Sequence, residues 1–224
     1  KGGTVHTSYG GSNSKGNVRA KLSSTYSAMY DDCPMEVTTF YGGGKNAYSD
    51  ADAEVSADCA KGVTEMFGGA KDADFNGNIS LTITNGSSLE RVFGGNNTSG
   101  AVNGSITVTI KEGGCEPIRI GSLYAGGYLA DYSVYGYNAD KTVKESGTRL
   151  YADPRINVIS ATYIGNIFGG GYQAKLVGNP HINVNMEPGR ILAKFNPTVG
   201  DHEDYSHQAY KVESIEEGTG DGIL

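Results

Sequence analysis

Residues 92–110 read Val-Phe-Gly-Gly-Asn-Asn-Thr-Ser-Gly-Ala-Val-Asn-Gly-Ser-Ile-Thr-Val-Thr-Ile. An aromatic residue and two glycines are followed by small residues, a further glycine and a strictly alternating apolar and polar run. Alternation of β-branched residues with a period of two is typical of a half-buried β-strand. Paired glycines allow a sharp bend of the backbone. The stretch therefore predicts a strand, a corner, a short segment, a second corner and another strand.

This pattern recurs along the chain. An aromatic residue precedes the glycine corner six times, at spacings of 32, 26, 26, 31 and 44 residues: Tyr9, Tyr41, Phe67, Phe93, Tyr124 and Phe168. A unit this short cannot bury its apolar face alone, so successive units must stack. Phe67 should then lie above Phe93, and Ile79 above Ile106. We predict an all-β chain in which residues 1–196 form a single-stranded parallel β-helix or β-solenoid of about six to seven turns, right-handed, with one long insertion.

Two other readings of the same pattern stay open. A β-sandwich predicts hairpin loops of two to five residues, whereas about nine residues separate the two corner glycines of a unit. A disordered glycine-rich linker fits the 34 glycines among 224 residues. The regularly spaced Ile and Val runs argue against a linker, because linkers have no such register.

Composition excludes several classes of function. The net charge is −7 and no run of Lys or Arg forms a basic stripe, so we expect no nucleic-acid partner. No apolar stretch approaches the roughly 20 residues that a membrane-spanning helix needs. The four histidines form no recognised metal or catalytic spacing. We therefore predict no catalytic residue.

The repeat is interrupted after Tyr124, where residues 131–150 form a predicted insertion. Eight of the fifteen tyrosines lie between residues 124 and 172. A tyrosine ring offers an apolar face and a hydroxyl, which suits a sugar platform, although tyrosines can also pad the base of a loop. We predict that a binding surface lies here, with these candidate ligand-binding residues: Tyr128, Tyr132, Tyr135, Tyr137, Asp131, Asp153 and Arg155.

Asp131, Asp153 and Arg155 are also candidates for carbohydrate chemistry. Parallel β-helices often host polysaccharide lyases and glycosidases, and glycosidases need paired carboxylates. Nothing in the spacing of these three residues demands catalysis. An enzyme therefore remains the alternative to a binding module.

Acidic and sulfur-containing side chains recur at defined places in the repeat. Cys33 and Cys59 each precede the next aromatic by eight residues, so they should stack about 4.8 Å apart. They can form either a disulfide or a ladder of buried thiols. Asp50, Asp52 and Glu54 could bind a surface calcium, or form a solvated acidic loop. We predict no other cofactor.

The C-terminal residues 197–224 change to a polar, acidic composition. The ends of a solenoid need a polar cap. We therefore predict that these residues form a cap, or a linker to a further domain.

The repeat read from residues 92–110 resembles Gly-Gly repeat β-solenoid surface proteins of Bacteroidetes, which are adhesin-like. The resemblance covers about residues 1–190 and carries no catalytic residue. It implies a non-catalytic cell-surface or secreted module that contacts a glycan or a host or matrix surface component. A passive spacer that holds another domain away from the cell is a further alternative.

Overall fold

A computed structural model describes residues 2–27, 35–60, 62–85, 87–113, 117–133, 153–185, 193–195 and 212–215. These residues contain β-strands and no helix. The strands are β1 (Thr4–Tyr9), β2 (Leu22–Ser27), β3 (Glu36–Tyr41), β4 (Ala53–Asp58), β5 (Glu65–Phe67), β6 (Ile79–Thr84), β7 (Ser88–Phe93), β8 (Ile106–Lys111), β9 (Arg119–Tyr124), β10 (Tyr132–Ser133), β11 (Arg155–Ser160), β12 (Tyr163–Phe168), β13 (Leu176–Val177), β14 (His181–Val184), β15 (Ala193–Phe195) and β16 (Val212–Ile215).

Two sheets of six strands each make up the fold. The strand order is β1-β3-β5-β7-β9-β12 in the first sheet and β14-β11-β8-β6-β4-β2 in the second. Every neighbouring pair in the two sheets is parallel. Hairpins would produce antiparallel pairs instead. The arrangement is therefore compatible with the predicted β-solenoid and does not fit the hairpin-built sandwich.

The register of the sheets follows the sequence repeat. Ile79 pairs with Ile106, and Phe67 pairs with Phe93, as predicted. Parallel partners face the same side of a sheet, so equivalent residues form columns. The inward columns of the second sheet are almost fully buried and belong to the main core: Ala53, Val55, Ala57, Ile79, Leu81, Ile83, Ile106, Val108 and Ile110.

The strands of the first sheet depart from the predicted alternation. In β7 both Leu89 and Val92 belong to the main core, although three positions separate them. One extra residue therefore interrupts the period of two. Phe93 follows Val92 directly and belongs to a second apolar cluster. The aromatic residue of each corner thus lies outside the main core.

A third, narrower side joins the two sheets. Single parallel bridges connect Val18 with Ser49, Ser49 with Phe75, and Phe75 with Val102. The β10–β13 pair, in which Tyr132 lies opposite Leu176, continues this side.

Residues 132 and 133, near the start of the insertion predicted at about 131–150, pair with β13 on this side. The rest of that insertion, with Tyr135 and Tyr137, lies outside the described residues. So do most residues of the predicted cap or linker at 197–224.

Cys59 lies directly after β4, is half-buried and has φ of 53°. It is disulfide-bonded, which excludes a free thiol at this position. Its partner lies outside the described residues. β2, which precedes Cys33 in the sequence, pairs directly with β4, whereas β8, which precedes Cys115, lies two strands from β4. Of the two alternatives that the sequence left open for Cys33 and Cys59, the topology therefore favours a disulfide between them.

Non-reducing peptide mapping should find Cys33 linked to Cys59, with Cys115 alkylated as a free thiol. Removing a disulfide that closes a loop of this length should lower the free energy of unfolding by about 3 kcal/mol. A Cys33→Ser, Cys59→Ser variant should show that loss in a urea titration, and Cys115→Ser should not. A peptide that links Cys59 to Cys115 would contradict the assignment.

The glycine corners stack backbone on backbone. A Cβ placed on Gly43 would lie 2.8 Å from the backbone nitrogen of Ala70 in the next unit. The equivalent glycine of the last corner, Gly170, has no atom within 4 Å of such a Cβ. At this position the last corner therefore does not need glycine for close approach, unlike the corners before it.

Gly43→Ala should destabilise the protein by roughly 2 kcal/mol or more, because the backbone of the adjacent corner must move. Gly170→Ala is the matched control and should be close to neutral. Urea titrations of the two variants compare the effects. Equal losses would show that the glycines are needed for a reason other than stacking.

Candidate functional site

Six aromatic rings form a continuous stack at the corner after the first sheet. Their centroids lie 4.8–4.9 Å apart and their planes differ by 6–13°. We call this stack the ring column: Tyr9, Tyr41, Phe67, Phe93, Tyr124 and Phe168. Neighbouring rings cover both faces of each ring inside the column. An inner ring therefore cannot stack on a ligand.

Exposure changes sharply along the ring column. Phe67 and Phe93 are 1% and 0% exposed, whereas Phe168 is 42% exposed. Among the described residues, no further ring stacks on Phe168. Burial raises the pKa of Tyr41 to about 12, despite a hydrogen bond donated by the Asn97 amide. The column therefore has a buried middle and an exposed last ring.

A second, shorter stack lies beside the end of the ring column. The rings of Tyr128 and Tyr172 are parallel, with centroids 5.0 Å apart. Tyr128 makes an edge contact with Phe93 at 5.6 Å, and Tyr172 makes one with Tyr124 at 6.0 Å. Tyr172 is 46% exposed. We call Tyr124, Tyr128, Phe168 and Tyr172 the ring corner.

One ion pair lies behind the ring corner. The Arg91 guanidinium lies 5.3 Å from the centroid of the Tyr128 ring and pairs with the carboxylate of Glu65. A cation over an aromatic face is attracted to the ring. Because Glu65 balances the charge of Arg91, the ring corner is an apolar surface with tyrosine hydroxyls and little net charge.

Sequence reasoning identified Tyr128 but missed Phe168 and Tyr172. A usable signal lies four residues after each corner aromatic. That position holds polar residues in the early units (Asn13, Lys45, Lys71 and Asn97) and tyrosine in the last two (Tyr128 and Tyr172). The change of residue type marks where the surface becomes aromatic.

Tyr132 is not part of a surface site. It is 2% exposed, and its hydroxyl donates a hydrogen bond of 3.0 Å to the backbone carbonyl of Gly104. Burial, with a smaller contribution from the charge of Asp153, raises its pKa well above the ordinary value. The ring of Tyr132 fills the core on the third side, so its predicted ligand-binding role stays a prediction that this burial does not support.

Asp131 and Asp153 hold the corners of adjacent turns together. A carboxylate oxygen of Asp131 accepts the backbone N–H of Lys175 at 2.7 Å, as Asp74 does for Ala101 at 2.8 Å.

Asp153 accepts the N–H of Asn179 at 2.8 Å, as Asp52 does for Asn78 at 2.7 Å. The same contact thus recurs in units without an insertion. A structural role accounts for both candidate acids.

Asp153 and Arg155 are separated by one residue at the start of β11. Both are almost fully buried, and the second carboxylate oxygen of Asp153 lies 3.7 Å from Nε2 of His181. His181 is the β14 partner of Arg155. The described contacts give this cluster one carboxylate rather than the pair that glycoside hydrolysis needs.

The candidate calcium ligands are engaged separately. Asp50 accepts hydrogen bonds from the amides of Asn76 and Asn17, which lower its pKa. Asp52 binds the N–H of Asn78, and Glu54 pairs with Lys21. Within the part of the chain that the structure describes, no group of three or more His, Cys, Asp or Glu side chains could hold a metal ion.

The chain matches no family model, no curated protein and no solved structure. In the described ranges, no helix is long and apolar enough to cross a membrane.

Replacing Asp153 by Ala should lower the free energy of unfolding by about 1–3 kcal/mol, because an N–H of the next turn loses a charged acceptor. Asp52→Ala should have a similar effect, since it removes the same contact in a unit far from the insertion. Thermal or urea unfolding measures both. A much larger loss for Asp153→Ala would show that Asp153 has a role beyond the corner.

Proposed function

We propose that this chain is a right-handed β-solenoid, secreted or at the cell surface, that contacts a glycan through the ring corner without catalysis. Six strands in each large sheet support six turns. Connections between parallel strands are right-handed in about 98% of cases, which supports the hand. The location of the site is supported by the exposure of the aromatic rings at the ring corner.

The observation that carries the proposal is the exposed end of the ring column. Phe168 is 42% exposed and Tyr172 is 46% exposed, on a rigid base of stacked rings. The C–H face of a pyranose packs on such a ring, and the Tyr172 hydroxyl can hydrogen-bond a sugar hydroxyl. The rings are held by their neighbours, so binding costs little side-chain entropy.

The electrostatics favour a neutral glycan over an acidic one. Among the described residues, the cation in contact with a ring of the corner is Arg91, and Glu65 already pairs with it. An acidic sugar would have to displace Glu65 or bind without a free cation. The protein also carries a net charge of −7, which repels polyanions at a distance.

Two observations support an extracytoplasmic location. Cys59 is disulfide-bonded, and disulfides persist mainly in oxidising compartments. The repeat also resembles adhesin-like surface proteins of Bacteroidetes. A glycan or a host or matrix component is the partner that we propose.

The enzymatic alternative is weaker, because the described acids Asp131 and Asp153 bind backbone N–H groups of the next turn. The passive spacer remains the competing hypothesis. It predicts that the exposed rings of the corner bind nothing.

Tyr172→Ala and Phe168→Ala should each weaken glycan binding at least about tenfold, or roughly 1.4 kcal/mol. Tyr48→Ala is the matched control, since Tyr48 is 48% exposed and lies outside the ring corner. Glycan arrays with neutral and acidic oligosaccharides identify the probe, and calorimetry with that probe measures the loss.

No binding to any glycan or matrix component would favour the spacer. Binding that all three variants retain would show that the site lies elsewhere. Preference for acidic probes would contradict the electrostatic argument while leaving the site intact.

A further inference from the structure

Tyr128 and Tyr172 hold equivalent places on adjacent turns. The backbone N–H of Tyr172 donates to the carbonyl of Gly127 at 3.0 Å, and the N–H of Gln173 donates to the carbonyl of Tyr128 at 2.8 Å. These hydrogen bonds fasten the two backbones together at the tyrosine pair. The ring centroids lie 5.0 Å apart and the ring planes differ by 11°. The stacking of the turns therefore holds two phenol rings face to face.

The stacked pair of Tyr9 and Tyr41 has similar ring geometry but a different environment. Its centroids lie 4.9 Å apart and its planes differ by 6°. The Tyr41 ring lies between Tyr9 and Phe67, is 3% exposed, and its hydroxyl accepts a hydrogen bond from the Asn97 amide. Tyr172 is 46% exposed, and Tyr128 is the one ring that stacks on it within the described ranges. The Tyr128–Tyr172 pair therefore combines stacking with access to solvent.

Two phenols held in this way can be joined by oxidation. A one-electron oxidant removes an electron from each phenol, and each hydroxyl releases its proton to water, which leaves two neutral phenoxyl radicals. The unpaired electron is shared with the Cε atoms, next to the carbon that bears the oxygen. A bond forms between Cε of one ring and Cε of the other, and the hydrogen on each of these carbons moves to the phenolic oxygen. The product is dityrosine, which has lost two hydrogen atoms.

We propose that Tyr128 and Tyr172 are a site of oxidative modification, at which a haem peroxidase and hydrogen peroxide join the two turns through a dityrosine cross-link. The peroxide takes up the two electrons and two protons and becomes two molecules of water. Fixed proximity makes the coupling effectively intramolecular. The exposed Tyr172 ring has room to turn until the Cε atoms meet, whereas Tyr41 is confined between two rings.

The cross-link fastens the end of the repeat. β12 and β14 are the terminal strands of the two large sheets, so each pairs on one side only. Structure with few partners opens locally more readily than the middle of a sheet. A bond between Tyr128 and Tyr172 closes a loop that contains the interruption of the repeat, and it restricts the unfolded chain as a disulfide does. The modified protein should therefore resist opening of its last turn.

The proposed cross-link does not depend on the glycan hypothesis. Coupling needs two phenols and an oxidant, whereas glycan contact needs an open ring face and no oxidant. A chain that binds no glycan can still form the cross-link, and a chain that binds a glycan can fail to form it. The two ideas can therefore fail separately.

The experiment treats the full chain, at low protein concentration, with a haem peroxidase and hydrogen peroxide. We expect a monomeric product with dityrosine fluorescence. Its tryptic map should contain residues 120–141 linked to residues 156–175, lighter by two hydrogen atoms than the separate peptides. Fragment spectra should place the link at Tyr128 and Tyr172. Amide exchange of Tyr163–Phe168 should slow at least about tenfold after coupling.

Two conservative variants and one change of solvent test the role of the stack. Tyr172→Phe keeps the ring but has no phenolic oxygen, so it should lose the link. Tyr163→Phe is the matched control and should keep the wild-type yield, because Tyr163 is 54% exposed and lies in the same tryptic peptide, yet stacks on no ring among the described residues. In urea the preference for Tyr128 and Tyr172 should disappear, since the turns no longer hold the rings together.

Three results would overturn the proposal. The first is a dityrosine yield that Tyr172→Phe leaves unchanged. The second is a first-formed link that joins Tyr163, or that joins two different chains. The third is the same pairing in urea as in the folded protein, since proximity in the fold would then not be its cause. If Tyr172→Phe fails to fold, the position of the link in the unsubstituted protein decides the matter.

Discussion

Backbone hydrogen bonding between successive units is the constraint on which the structure depends. Parallel strands lie about 4.8 Å apart, so every position must tolerate its own equivalent as a neighbour. Ile79 over Ile106 meets this condition with apolar contact, and Phe67 over Phe93 meets it with a stacked ring. At Gly43 the neighbour is the backbone of the next corner, which leaves no room for a Cβ. The glycine content of the chain is a consequence of stacking.

The columns of the two sheets could be predicted because the pairing repeats the sequence period. The side of the strand that each aromatic residue faces could not be predicted. A strict period of two places Phe93 on the side opposite Val92 but also places Leu89 with Phe93, whereas Leu89 and Val92 share the main core. The extra residue between them carries no sequence signal within a single repeat.

Several of the predicted ligand-binding residues contact the backbone of a neighbouring turn in the structure. Asp131 and Asp153 were candidates because they flank the interruption of the repeat. Their partners are backbone N–H groups, and such contacts cannot be recognised in a sequence. Comparison with Asp74 and Asp52 reveals the shared role only once the register is known. Tyr132 occupies the column of Phe75 and Val102, so its burial follows from that register as well.

Stacking also determines which apolar side chains of the columns stay exposed. A ring inside the ring column has a neighbouring ring on each face, and a core residue inside a sheet is covered by the next unit. Among the described residues of these columns, those with large exposed apolar surface therefore lie at the last unit. At the last unit two such surfaces end together: the ring column at Phe168 and the main core at Ile182. A Cβ placed on Gly169, directly after Phe168, would lie 3.7 Å from Cδ1 of Ile182, so the two apolar surfaces adjoin at this end of the protein.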